Sequence, residues 1–326
     1  MVSWQGKAFK PLLHRVMRAR LERCRTIDEM RRVILGIDRL GSFINQPPDI
    51  QFNPFTIGDL ACAWVERPGC QQLGVLLYFP GGGFCFRSPM AHNAVLARLS
   101  GQSGLRGLMV NYPLAPEHPF PAAVNACLLA YRWLLAHGFP PSAICLGGDS
   151  AGANLVMTTL MQLRDAGEPQ PAAAVLLSPA VDMVMTGATV FERHDSDPFF
   201  AIATLLLLRN NYIAHHNPWQ PLISPLVGEL HQLAPLMIHV GEDEVLLDDA
   251  VRLAAKVESC GGEVKLTVWP GMPHVFPIFN QLPEAQQALA ECGRFLRSRI
   301  TPMGQPPMAA GKSAAVSSDD QPLAVK

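Results

Sequence analysis

The sequence predicts an α/β protein built on a mostly parallel sheet with helices on both faces. Six short apolar runs carry that expectation: 73–79 (LGVLLYF), 104–112 (GLRGLMVNY), 143–148 (AICLGG), 172–179 (AAAVLLSP), 235–241 (PLMIHVG) and 264–270 (VKLTVWP). They are apolar at successive rather than alternate positions, as strands buried on both faces are. Helix-length stretches at 121–137, 151–166 and 247–260 separate them, the alternation of a parallel sheet wrapped on both sides.

Taken in order, residues 1–45 read as an amphipathic helical segment, with Leu12, Leu13, Val16, Met17 and Leu21 at three-to-four spacing and basic residues between them. Pro47 and Pro48 end that pattern. Residues 46–182 hold the first four strand runs and form the first part of the core; residues 226–300 hold the last two and form the second part. Between them, 183–225 contains His194, Asp195, Pro198, Phe199, Phe200, the apolar run Leu205 to Leu208 and Trp219, with helix but no clear strand. It reads as a helical insertion that, with residues 1–45, forms a cap over the strand ends where α/β sheets hold ligands. Residues 301–326 are rich in Pro, Ala, Ser and Gly and read as a disordered tail. Gly311-Lys312-Ser313 within it lacks both the upstream glycine and the preceding strand of a phosphate loop.

Composition narrows the function. The 326 residues are 49% hydrophobic and carry 26 basic against 27 acidic side chains, so there is no overall field to draw in nucleic acid or anionic lipid. Eight cysteines without a CxxC pair read as reduced thiols of a cytoplasmic protein. No apolar stretch is long enough for a signal sequence or a span, so stable membrane insertion is not expected. The start, with Lys7, Lys10, Arg15, Arg18, Arg20, Arg23 and Arg25, also fits a transit peptide or a membrane-surface helix.

The strongest chemical signal is Gly148-Asp149-Ser150-Ala151-Gly152, at the end of one strand run and the start of a helical one. In a G-x-S-x-G elbow the serine sits on a strained turn with its hydroxyl projecting from the sheet, and the flanking glycines leave room for the neighbouring backbone. A serine hydroxyl needs a base held by a third group. Downstream, one strand run is followed by Gly241-Glu242-Asp243-Glu244 and the next by Gly271-Met272-Pro273-His274, giving the order Ser150, Asp243, His274. Glu242, Glu244, Asp248 and Asp249 lie beside the chosen acid, and the last two also suit the first turn of the next helix. Pro80-Gly81-Gly82-Gly83-Phe84 follows the first strand run and can turn backbone amides toward a developing oxyanion. His215-His216 has no carboxylate or cysteine at ligand spacing, so no metal site is expected, and Cys85 reads as a packed thiol.

These motifs, with Asn111 to Ala122 (NYPLAPEHPFPA), Leu177-Ser178-Pro179, Ser224-Pro225-Leu226, GEDEVLLDDA and GMPHVF, resemble the hormone-sensitive-lipase-like carboxylesterases, bacterial family IV of the α/β-hydrolase fold, over Leu73 to Arg297. The resemblance implies an α/β-hydrolase fold with a cap, Ser150 as nucleophile, His274 as base, Asp243 as its orienter, and the amides of Gly82, Gly83 and Ala151 as the oxyanion hole. It also implies that Glu117 and His118 order a loop near the site. Three positions depart from the family: Pro80 replaces a loop-shaping histidine, His274-Val275-Phe276 replaces His-Gly-Phe, and Asp243-Glu244-Val245 stands where Asp-Pro-Leu is usual.

The expectation is a cofactor-free serine hydrolase of short to medium acyl esters, with a small-molecule ester as partner, no nucleic acid, and a homodimer admitted. Two alternatives stand beside it: a small-molecule receptor on an impaired hydrolase scaffold, for which Pro80 argues, and an amide, lactone or thioester hydrolase using the same triad.

Overall fold

A computed structural model describes residues 2–45, 47, 49–67 and 73–301, with backbone alone for 41–45. Pro48, Cys70 and the tail beyond Thr301, with Gly311 to Ser313, lie outside the described residues.

All six apolar runs are strands: β3 Val75–Phe79, β4 Arg106–Val110, β5 Ile144–Asp149, β6 Ala173–Leu177, β7 Leu236–Gly241 and β8 Val264–Trp269. A hairpin outside those six runs, β1 Gln51–Ile57 and β2 Leu60–Glu66, precedes them. The eight strands form one sheet in the order β1-β2-β4-β3-β5-β6-β7-β8, antiparallel across β1, β2 and β4 and parallel elsewhere. Gly58-Asp59 turns the hairpin, with Gly58 at φ 58°, a value glycine adopts without steric cost. β1 is the sheet's edge and mostly solvent-facing, which is why it tolerates Pro54 and carries no apolar run.

Side-chain alternation along β3 separates two cores. Val75, Leu77 and Phe79 share one cluster with Val124 of α5 (Ala122–Ala136), Leu155 of α6 (Ala151–Asp165) and Leu253 of α9 (Leu247–Ser259). Leu76 and Tyr78 share the other with Leu96 of α4 (Pro89–Ser103) and Leu289 of α10 (Pro283–Arg299). Each large apolar side chain fully withdrawn from water contributes about 1.5–3 kcal/mol, so this central strand is pinned from both faces.

The N-terminal segment folds as α1 Trp4–Leu13, a π-helical turn His14–Arg18, α2 Ala19–Leu21 and α3 Ile27–Asn45. Segment 183–225 holds α7 Thr189–Glu192 and α8 Ile202–Ile213, with no strand among the described residues. Three cations tie the N-terminal helices to the rest. The Lys10 Nζ meets Asp243 at 2.5 Å, and Arg18 donates to the carbonyls of His194 and Asp197. Arg31 grips both oxygens of Glu117 at 2.6 and 2.7 Å and donates to the Cys85 and Ala115 carbonyls. That clamp holds the Glu117 carboxyl down to about 2 and links α3 to the glycine loop.

Candidate active site

β5 delivers Ser150 in a conformation the sheet imposes: φ is 51° and ψ −118°, outside the regions non-glycine residues favour. The two flanking glycines are required sterically. A Cβ on Gly152 would lie 1.8 Å from the Phe79 carbonyl oxygen, and one on Gly148 would lie 2.6 Å from the Gly152 backbone. Gly152→Ala is therefore expected to lose soluble protein or several degrees of melting temperature, because β3 and α6 must part; an unchanged melting curve would contradict this packing.

The Ser150 Oγ lies 3.0 Å from His274 Nε2, and His274 Nδ1 lies 2.6 Å from Glu244 Oε2. Glu244 is fully buried, and its other oxygen accepts from the Ser178 hydroxyl and the Gly241 amide, both at 2.7 Å. Ser178 in turn accepts from the Val275 amide at 2.9 Å, so one hydroxyl links Glu244 to the residue after His274.

Asp243, the acid chosen from the sequence, is corrected by this geometry: its carboxylate points away from His274, pairs with Lys10 and lies 3.7 Å from Arg193. Its amide donates to the Met272 carbonyl at 3.0 Å, which fixes the turn and sends adjacent side chains in opposite directions. Glu244 then faces inward, and its longer side chain reaches the imidazole. The downstream leucine is the sequence signal for this register: read on Leu246, the Asp-Pro-Leu pattern falls on Glu244-Val245-Leu246.

The glycine loop lies alongside. Gly82 has φ 121° and Gly83 φ 54°, and a Cβ on Gly82 would meet the Phe86 carbonyl oxygen at 2.1 Å. Among the described residues no acceptor takes the amides of Gly82, Gly83 or Ala151, and the first two line a cavity shared with Ser150 and His274. The Tyr112 hydroxyl donates to the Pro80 carbonyl at 2.6 Å. The Gly81 amide donates to Asp149 Oδ1 at 3.0 Å. Asp149 also accepts from the Tyr78 hydroxyl at 2.8 Å and contacts His92 Nε2 at 3.3 Å. Burial opposes ionisation of Asp149, but His92, Tyr78 and the Gly81 amide outweigh it and hold the carboxyl below its ordinary range. The proline loop is thus fastened to the residue preceding Ser150 without the histidine it replaces.

Two cavities meet at Ser150. The larger, about 170 Å³, is lined by His274, Phe86 and Phe199 and by Leu13, Met17 and Ile34 of the N-terminal helices. The smaller, about 60 Å³, is lined by Ala151, Phe84, Met183, Leu205 and Leu208. Asp197, unread in the sequence, shapes the boundary: its buried carboxylate accepts from the amides of Phe199, Phe200 and Val245 and lies close enough to His274 to favour the imidazolium.

Comparison with known proteins agrees with this architecture. Residues 76–278 match the α/β-hydrolase fold family. An acetyl-hydrolase of Streptomyces hygroscopicus is 41% identical over 244 residues, covering 74% of this chain and 81% of that protein. An esterase of Acinetobacter venetianus is 32% identical over 265 residues, covering 80% and 87%. The crystal structure of an esterase from the bacterial hormone-sensitive lipase family superposes with a TM-score of 0.85 at 39% identity, covering 92% of this chain and 100% of that one. The chain belongs to the hormone-sensitive-lipase-type esterases of the α/β-hydrolase fold.

The remaining sequence candidates have packing roles. His215 and His216 stack at 4.4 Å, and His216 meets the Phe120 ring edge-on. Burial pushes the Cys85 thiol up to about 12, which leaves it a poor nucleophile. Among the described residues no cluster of His, Cys, Asp and Glu is arranged to hold a metal ion, and no helix is long and apolar enough to cross a membrane.

Proposed function

We propose that this carboxylester hydrolase works through an acyl-enzyme on Ser150, with His274 as base and Glu244 as its orienter. The continuous contact from Ser150 Oγ through His274 to Glu244 carries the reading. Ser150 Oγ attacks the ester carbonyl carbon while His274 Nε2 takes its proton. Glu244 accepts from Nδ1–H, fixing the tautomer that leaves Nε2 free to receive, and steadies the imidazolium that forms. The amides of Gly82, Gly83 and Ala151 hold the oxyanion, each worth about 3 kcal/mol when preorganised. As the tetrahedral intermediate collapses, the C–O bond to the alcohol breaks and His274 returns its proton to the departing oxygen. Water activated by the same imidazole then attacks the acyl-enzyme, releasing the acid and restoring Ser150.

Proton return assigns the two cavities. The departing oxygen must reach His274 Nε2, so the alcohol occupies the larger cavity, which His274 lines, and the acyl group occupies the smaller one beside Ala151 and Leu208. The substrate is a short-acyl ester of a larger apolar alcohol, and the resemblance to an acetyl-hydrolase supports a short acyl group. Nitrophenyl acetate and butyrate should therefore exceed nitrophenyl octanoate in kcat/KM by about tenfold or more, and hexyl acetate should exceed methyl acetate. A preference for octanoate over acetate would reverse the assignment. The seven described cysteines are free thiols, which supports a reducing cytoplasm. The reading includes a homodimer, for which β8, the last strand of the sheet, has an outer edge that a second copy could extend.

The pH dependence follows from the base. Burial disfavours the His274 imidazolium, but the charge and hydrogen bond of Glu244, then Asp197 and Asp149, together hold its pKa above 6.5. The base must be neutral, so kcat/KM should rise with pH through a midpoint above 6.5 and then level. In Glu244→Gln the largest supporting charge is gone and the midpoint of the residual activity should move down. A midpoint that stays put would detach Glu244 from the base.

A further inference from the structure

We propose that the outward face of the first N-terminal helix docks on an anionic lipid surface, laying the roof of the larger cavity against it. Along α1 and the π-helical turn, the exposed residues are Trp4, Lys7, Ala8, Pro11, Leu12, His14 and Arg15, which gather on one helical face. Trp4 is 75% exposed and Leu12 55%. The opposite face supplies Leu13, Val16 and Met17 to the cavity lining, so a single helix separates the substrate site from the surface that Trp4 and Leu12 share. An exposed tryptophan and leucine interleaved with cations make the pattern of a helix lying in a headgroup layer, the indole at the interface and the ammonium and guanidinium groups on lipid phosphates.

Charge selects the occupant. Residues 1–45 contain ten Lys and Arg against four Asp and Glu; since the whole chain carries −1, residues 46–326 carry −7. The cations of this segment divide by task. Lys10, Arg18 and Arg31 turn inward and hold the helices to the core. Lys7, Arg15, Arg20 and Arg23 are exposed, and among the described residues no carboxylate pairs with them. Lys7 and Arg15 beside an exposed indole, with Arg20 and Arg23 further along the same segment, complement an anionic bilayer, whereas a second copy would bring the same positive face against itself. Docking of this kind is peripheral and reversible, held by one helical face rather than by a span.

The test uses the full chain, sedimented with vesicles of phosphatidylcholine alone or with one-third phosphatidylglycerol. The protein should bind the anionic vesicles at least tenfold more tightly, and added salt should release it. Lys7→Glu with Arg15→Glu should weaken that binding by about tenfold or more, and Trp4→Ala should weaken it severalfold. Both variants should hydrolyse soluble nitrophenyl acetate at the parent rate, since neither touches the triad or the cavities; that readout establishes folding and keeps this outcome separate from the hydrolase reading. Equal binding to both vesicle types, no binding to either, or unchanged binding by the variants would overturn the proposal. So would a dimer that the same substitutions dissociate, which would show a second copy covering this face.

Discussion

Ser150→Ala is expected to lower kcat by about 10⁴- to 10⁶-fold while KM for a nitrophenyl ester changes little. The substitution deletes one oxygen and keeps the Cβ, so the backbone at φ 51° is equally constrained, and the Ser150 amide still donates to the Leu177 carbonyl at 2.8 Å. The cavities and the three amides are unchanged, so binding persists and the chemical step is lost. Steady-state kinetics with circular dichroism as a folding control check this, and a variant retaining a tenth of the parent rate would remove Ser150 from the reaction.

Glu244→Gln is the second large effect, about a 10⁴-fold loss in kcat, set beside an Asp243→Asn variant that stays within a few-fold of the parent. A glutamine amide can donate to Nδ1, which places the imidazole proton on Nε2, where it can no longer receive the serine proton. The Ser178 hydroxyl and the Gly241 amide, which already share the other Glu244 oxygen, hold the glutamine oxygen on their side and so keep its amide nitrogen turned toward Nδ1. Asp243 contacts Lys10 and Arg193 from a partly exposed position. Its loss removes a surface tether worth about 1 kcal/mol or less and leaves His274 untouched. Equal losses in both variants would mean that the contact between Glu244 and His274 is not what orients the base.

The sequence made some of this legible and hid the rest for identifiable reasons. The elbow and the glycine loop are local: strand, turn and helix stand next to one another in the chain, and the two glycines around Ser150 answer to contacts with Phe79 and Gly152 that any such turn makes. His274 follows a strand run at short range in the same way. The acid is different, because residues 242–244 are all carboxylates and the choice among them depends on a turn closed by Met272, some thirty residues away. Asp197 escaped notice because its work is to accept three backbone amides, one of them from Val245, and no motif marks that. In the hairpin, β1 lies at the sheet edge, where exposure dilutes its apolar pattern, while β2, largely buried with Leu60, Cys62, Ala63, Trp64 and Val65, carries an apolar run of its own. The helical character of residues 1–45 was visible in their periodicity, but not that Leu13 and Met17 line the cavity while Arg31 holds the loop beside it.

The most direct test of the triad is the rate of fluorophosphonate labelling, followed by intact mass and located by peptide mapping, in the parent, Asp243→Asn and Glu244→Gln proteins. The structure predicts one adduct, on Ser150, formed at similar rates in the parent and Asp243→Asn and slowed about a thousandfold or more in Glu244→Gln. An adduct on another residue, or slow labelling in Asp243→Asn with fast labelling in Glu244→Gln, would contradict the assignment of Ser150, His274 and Glu244.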